Sequence, residues 1–264
     1  MDSLYSSNTH TLITGASSGI GKQMAEEFAK KKANLVLIAR RADELEAMSL
    51  RLMECFPIQV LWLSCDLTEK EAPRLVYEWC KERNLIIDTV VNNAGAGMFG
   101  EFERLDIDKQ IRLIELNIHA LVKITHYFLP DLINLSRGSI LNVASVAALY
   151  PLPYYCVYGA TKSFVLSFTE ALRYEMRHTK LTISCLCPGD TDTSFFHFAG
   201  NTNKKNSLMP PDLVAKSAVK NLFKNKSVIF PSNIKLISLI PKFILKRIVY
   251  RRVSKYSLKP SSNR

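Results

Sequence analysis

Residues 14–21 read Thr-Gly-Ala-Ser-Ser-Gly-Ile-Gly. They stand between an apolar, β-rich run, Thr11 to Thr14, and a segment where Ile20, Met24 and Phe28 recur every four residues with Lys22, Glu26 and Glu27 between them. That is a strand, a tight glycine turn and an amphipathic helix. Glycine accepts positive φ and lets a ligand approach the backbone, while the first helical turn offers unpaired N–H groups at the positive end of its dipole. Gly15, Ser17, Ser18, Gly19, Ile20 and Gly21 are therefore predicted to cradle a pyrophosphate. The spacing G-x-x-x-G-x-G differs from G-x-G-x-x-G, and taken alone it also describes a tight βα turn with no ligand.

Beyond this unit, apolar runs alternate with longer helical patterns: Leu35 to Ala39, Val60 to Ser64, Thr89 to Val91, Ile140 to Ala144, Leu181 to Cys187 and Val228 to Phe230. The alternation predicts an α/β, doubly wound parallel sheet of the Rossmann type, about seven strands with helices on both faces. With 264 residues, no internal repeat and no Pro/Ser-rich linker before residue 190, one domain over 1–264 is the economical reading. The rhythm breaks at 191–211, where Asn201, Asn203 and Asn206 precede Pro210 and Pro211; a substrate lid, loop or short helix, is expected there. Residues 232–264 form a basic, apolar C-terminal extension.

Six cysteines, at 55, 65, 80, 156, 185 and 187, make no C-x-x-C pair, so neither a metal site nor a disulfide framework is predicted. Cys185 and Cys187 share one strand face and read as small core hydrophobes. A reducing, cytoplasmic setting fits free thiols, a first decapeptide without a secretory pattern and the lack of an apolar run long enough to span a bilayer.

Tyr158 and Lys162 lie one helical turn apart on the same face, and Ser145 precedes them. A free phenol has a pKa of about 10, which makes it a modest acid and a poor base at neutral pH. An ammonium beside it favours the phenolate and is expected to lower that value. Tyr158 is thereby predicted to give a proton to a carbonyl oxygen, or take it back in reverse, with Ser145 hydrogen-bonded to the same oxygen. In isolation such a tyrosine is more often packed half-buried against a sheet.

The octapeptide above, Asn92-Asn93-Ala94-Gly95, Ser145, Tyr158-Gly159-Ala160-Thr161-Lys162 and Pro188-Gly189 occur in one order between residues 9 and 195. In this the chain resembles the short-chain dehydrogenase/reductase superfamily. The resemblance implies a nicotinamide cofactor whose ribose Lys162 also hydrogen-bonds, and a fourth catalytic position at Asn117, its side chain holding water in a proton relay to the lysine. It further implies Ser17 on a 2′-phosphate, Asp66 and Leu67 bordering the adenine, and assembly as a homodimer or tetramer. Without it, Asn117 sits in a helical pattern from Asp108 to Leu129 and reads as a solvent-facing or satisfied structural amide.

An acid at the end of the second strand would grip a ribose 2′-hydroxyl, but here the strand runs into Arg40-Arg41, whose guanidinium groups can fork onto phosphate. NADP(H) is expected in preference to NAD(H). Asn93, Ala94 and Gly95, at the carboxyl edge of the sheet, should pack along the cofactor; Pro188 and Gly189, with Thr191 and Thr193, should turn the backbone toward its carboxamide. The stretch from Val146 to Tyr155 carries no charge, and Phe195, Phe196 and Phe198 follow in the lid, so an apolar, aromatic mouth is predicted. The expected activity is NADPH-dependent reduction of a ketone, aldehyde or 3-oxoacyl group on a hydrophobic body.

Two rivals come from other classes: a dinucleotide-binding sensor or scaffold without turnover, and a lipid-surface protein acting through its tail. Residues 204–264 hold 15 of the 35 Lys and Arg against a single acid, Asp212. Cations among large aliphatics suit an anionic membrane surface. Yet the apolar residues fall on several helical faces and Pro241 divides them, so a cover over the cleft or a subunit contact is preferred for the extension. No nucleic-acid reading motif accompanies the charge, and no nucleic acid partner is expected.

Overall fold

The computed structural model describes residues 8–135, 137–200, 208–231 and 242–253. Strands β1 (Thr9–Thr14), β2 (Asn34–Ala39), β3 (Val60–Ser64), β4 (Ile86–Asn92), β5 (Ser139–Val143), β6 (Thr182–Leu186) and β7 (Val228–Ile229) form one sheet in the order β3-β2-β1-β4-β5-β6-β7. Every neighbouring pair is parallel. Chain order reverses between β1 and β4, which opens a crevice at their carboxyl ends.

Helices α1 (Gly19–Ala29), α2 (Ala42–Cys55), α3 (Ala72–Glu82), α4 (Ile107–Ile114), α5 (Leu121–Asn134), α6 (Cys156–Glu175), α7 (Phe195–Phe198) and α8 (Pro211–Leu222) follow in turn, with α9 (Lys242–Val253) beyond β7. Met24 and Phe28 of α1, Leu45 and Leu52 of α2 and Val214 and Val219 of α8 share one core on one side of the sheet. Val76 of α3, Ile124, Phe128 and Leu132 of α5 and Leu172 of α6 make the other. Covered on both faces, β2 buries all six of its residues, which is why it reads as an unbroken aliphatic run.

Most strand ends fall within two residues of the sequence reading, and two elements depart further. β4 begins at Ile86 rather than Thr89, because the carboxylate that breaks the apolar run, Asp88, lies inside the sheet and accepts from Thr9 Oγ1 at 2.5 Å. The helical pattern of residues 108–129 is a rod in three parts: α4, a π-helical turn Glu115–Ala120, and α5, which continues past Pro130 to Asn134. π-Turns are uncommon and cluster at functional sites; this one carries Asn117.

Candidate active site

The glycine turn is built where β1 and β4 end side by side. Gly15 and Gly19 take φ of 65° and 54°, the left-handed region that a Cβ resists. A Cβ at Gly15 would lie 2.8 Å from Asn93 Nδ2, and one at Gly21 only 2.4 Å from Gly15 O. Asn93 Nδ2 donates to Thr14 O (2.9 Å) and Gly15 O (3.2 Å), while Thr14 Oγ1 accepts from the N–H groups of Asn93 and Ala94, both at 3.0 Å. The Asn93 side chain therefore braces the turn, leaving its neighbours Ala94 and Gly95 to line the crevice. Ser18 stands at the N-cap of α1 in extended conformation and makes no side-chain cap, so the first-turn N–H groups are left to a ligand. A backbone cradle of this kind fits a dinucleotide pyrophosphate.

At the ends of β2 and β3, Arg41 Nη2 donates to Ser17 Oγ (3.1 Å) and Ser17 O (3.2 Å). Arg40 is exposed, 4.0 Å from Asp66 Oδ2. Asp66 is partly buried, which opposes ionisation, but hydrogen bonds from the Thr68 N–H and hydroxyl and the charges of Arg40 and Arg112 hold its carboxyl below the usual range. Arg112 reaches Asp66 Oδ2 (3.5 Å) and Thr68 Oγ1 (3.3 Å) from α4; no sequence signal separates it from any surface arginine. Leu67 beside it is buried.

Across the crevice, Ser145 follows β5 and Tyr158 and Lys162 face it from α6. The Ser145 hydroxyl lies near enough to the Tyr158 phenol to favour its ionised form, and it accepts from Ala147 N–H at 3.1 Å. The expected lowering of the phenol is not found within the chain. Burial, the Tyr155 phenol and the Asp190 carboxyl push Tyr158 up to about 12 against the Ser145 hydroxyl. Lys162 Nζ donates to Val143 O at 2.9 Å and stands 5.9 Å from the centre of the Tyr158 ring, and burial pulls the ammonium itself down to about 8. Cys185 and Cys187 lie beneath it as buried thiols, Sγ to Sγ 4.0 Å, and the hydrogen bond with Cys185, with burial, pushes Cys187 up.

Asn117 is almost fully buried, and its amide is committed. Nδ2 donates to Ala96 O (3.0 Å) and Thr161 Oγ1 (3.0 Å), and Oδ1 accepts from Ala96 N–H (2.9 Å). Both donors are spent clamping the Gly95 loop to α6, and one lone pair of Oδ1 is left to accept. A Cβ at Gly95 would sit 3.2 Å from both Asn117 Oδ1 and Lys162 Nζ, so this loop closes directly on the pair. A buried amide chain below the site escaped the sequence reading: Asn92 Nδ2 donates to Thr125 Oγ1 and Asn142 Oδ1, and Asn142 Nδ2 to Thr169 Oγ1. Polar residues inside apolar strands are the signal that could have found it.

After β6, Pro188 O accepts from Val146 N–H (3.0 Å), Gly189 O accepts from Thr191 Oγ1 (2.9 Å), and Thr193 comes within 3.2 Å of a Cβ placed at Gly19. Pro188 is thereby tied to the segment after Ser145, and Thr193 to the glycine turn. Residues 201–207 of the expected lid, and 232–241 and 254–264 of the extension, lie outside the described residues.

A family model for short chain dehydrogenases matches residues 9–204. The chain belongs to this family. A very-long-chain 3-oxoacyl-CoA reductase of Bos taurus is 32% identical to it over 217 residues, 80% of this chain and 67% of that one. An NADP-dependent 3-hydroxy acid dehydrogenase of Schizosaccharomyces pombe is 34% identical over 84% of this chain and 92% of its own. Among solved structures, a short-chain dehydrogenase from Sphingobium yanoikuyae in complex with NADPH matches with a TM-score of 0.81 at 29% identity, covering 97% of this chain and 98% of that one. This short-chain dehydrogenase is accordingly an NAD(P)-dependent oxidoreductase of the carbonyl-reducing kind. No helix among the described residues is long and apolar enough to cross a membrane.

Proposed function

We propose that the enzyme uses NADPH to reduce a ketone, aldehyde or 3-oxoacyl group carried on a hydrophobic body, with Tyr158 as the proton donor. The observation that carries this reading is the Tyr158 phenol, set beside Ser145 and one turn from the Lys162 ammonium, at the sheet edge that holds the glycine cradle. Bound NADPH would supply the hydride. Ser145 holds the substrate oxygen next to the phenol, Tyr158 releases its proton to that oxygen, and Ser145 steadies the charge that develops. Lys162, cationic below about pH 8, favours the phenolate that remains and would hydrogen-bond the ribose of the bound cofactor. Asn117 positions the Gly95 loop against Lys162. A binding-only sensor has no use for a buried lysine directed at such a phenol. NADPH oxidation across a panel of ketones, aldehydes and 3-oxoacyl thioesters tests the reading, and no turnover with any of them would overturn it.

The preference for NADP(H) rests on Arg40 and on Arg41 beside Ser17, with no carboxylate before Asp43 to claim a 2′-hydroxyl. Changing both arginines to alanine is expected to weaken NADPH by about 10²-fold and leave NADH within about threefold, since only the phosphate loses its charge-assisted bonds. Equal weakening in titrations of the two cofactors would remove the phosphate role. Exposed Ile107 and Ile111 on α4 and Phe164 on α6 support a homo-oligomer.

The described part of the extension favours the lipid reading over a cover. Helix α9 leaves Ile244, Ile248 and Tyr250 exposed among Lys246, Arg247 and Arg251, a surface suited to an anionic interface. We expect the full chain to sediment with anionic but not zwitterionic vesicles, and Ile244→Glu with Ile248→Glu to abolish it; unchanged sedimentation of that variant would discard the membrane contact.

A further inference from the structure

The segment after β6 does more than border the cofactor cradle. Phe195, the first residue of α7, lays its ring over Gly97, where a Cβ would meet Phe195 Cζ at 2.4 Å; only glycine leaves room for it. The same ring packs on Tyr158 with centroids 5.2 Å apart, and Tyr158 packs on Tyr155 at 5.7 Å. Three loops fix this arrangement by backbone bonds. Phe99 N–H donates to Ala199 O (2.8 Å), Gly100 N–H donates to Tyr154 O (2.9 Å), and Ala199 N–H returns to Phe195 O (2.8 Å). Tyr154 holds φ of 65°, a conformation that a residue with a side chain keeps only where its surroundings impose it. The ring beside the reacting hydroxyl is therefore set by the loops around it and has little freedom to swing aside.

We propose that Phe195 is the specificity-determining residue of this site, and that its ring restricts substrates to carbonyls with one small substituent. The inference rests on the carbonyl-reducing reading above. A carbonyl oxygen within reach of the Tyr158 hydroxyl brings its carbon, with both substituents, alongside the ring that covers that phenol. One substituent can lie along the aromatic wall of Phe99 and Tyr155, whose centroids are 5.1 Å apart. The other meets Phe195, braced from behind by Gly97, and only a hydrogen or a short alkyl group fits without displacing the ring. The substrate class is thus an aldehyde or a methyl-type ketone on a flat or extended apolar body.

The test compares acetophenone with benzophenone as substrates, with NADPH affinity followed separately by fluorescence titration. Wild type is expected to favour acetophenone. Phe195→Ala should raise the benzophenone to acetophenone ratio of kcat/KM by about tenfold or more, the scale on which pocket volume discriminates. Gly97→Ala, which pushes the ring aside without removing it, should move the ratio in the same direction, and Phe195→Leu should leave it nearly unchanged. Both alanine variants should bind NADPH as wild type does, which reports an intact fold. A Phe195→Ala enzyme that binds NADPH with an unaltered ratio overturns the proposal, as does a wild type that takes both ketones equally. A wild type that reduces nothing in the carbonyl panel defeats the reduction reading, and this proposal with it.

Discussion

Tyr158→Phe is expected to lower carbonyl reduction by about 10²–10⁴-fold while NADPH affinity stays within about twofold, because the change removes a proton donor and no cofactor-binding surface. The ring would remain where it is, held by Tyr155 and Phe195 at 5.7 and 5.2 Å, so the fold should be untouched. The phenol itself predicts the pH behaviour. With its pKa pushed up to about 12 by burial, Tyr158 is protonated throughout the neutral range. Reduction, which consumes that proton, should therefore hold level through neutral pH, whereas oxidation of the alcohol, which needs the phenolate, should climb as pH rises. Stopped-flow measurement of both directions against pH separates these limbs. Substantial activity in the phenylalanine variant would remove Tyr158 from the chemistry.

How far the sequence could be read depends on the range of the interaction concerned. Strands such as Leu35 to Ala39 were legible because burial on both faces demands an unbroken aliphatic run, and the glycine turn because φ above zero and close packing leave no other residue. Tyr158, Lys162 and Ser145 announced themselves by type and spacing, and they do meet in one crevice. What escaped depends on partners far along the chain. Asp88 hid the start of β4 because Thr9, which donates to its Oδ2, lies 79 residues away. Arg112 joins Asp66 only once α4 crosses the end of β3. The sign of the Tyr158 shift was misread for the same reason: helical spacing puts an ammonium on the right face but says nothing of burial, and burial prevails over a lysine that spends a hydrogen bond on Val143 O. Asn117 was found, yet its three bonds to Ala96 and Thr161 were not.

Lys162→Met should make the protein more stable and almost inactive. Burial lowers the ammonium from 10.5 to about 8. On linkage arithmetic that shift corresponds to about 3 kcal/mol of destabilisation wherever both folded and unfolded lysines are charged. The methionine stem fills the same space without the charge but leaves Val143 O without its donor, an offset of about 1–2 kcal/mol, so a net gain of about 1–2 kcal/mol is expected near pH 7. The sign against pH is fixed. Below about pH 8 the lysine is protonated in both states and its cost is fully present. Between pH 8 and 10.5 the unfolded chain holds a proton that the folded chain has released, so wild-type stability rises relative to the variant; above 10.5 the cost is gone. Cys80, pushed up to about 12, titrates in the opposite sense but is common to the two proteins and cancels in the difference. Urea midpoints measured from pH 6 to 10.5 should therefore converge and then cross as pH rises, the wild type becoming the more stable once its lysine cost is gone, while reduction by the variant is down by about 10²-fold or more for want of the cation beside the phenolate. A constant gap across that range would mean that Lys162 is not held as a buried cation. The lysine is kept at the expense of stability because a charge already stripped of water acts more strongly on the phenol oxygen one turn away than a solvated one would.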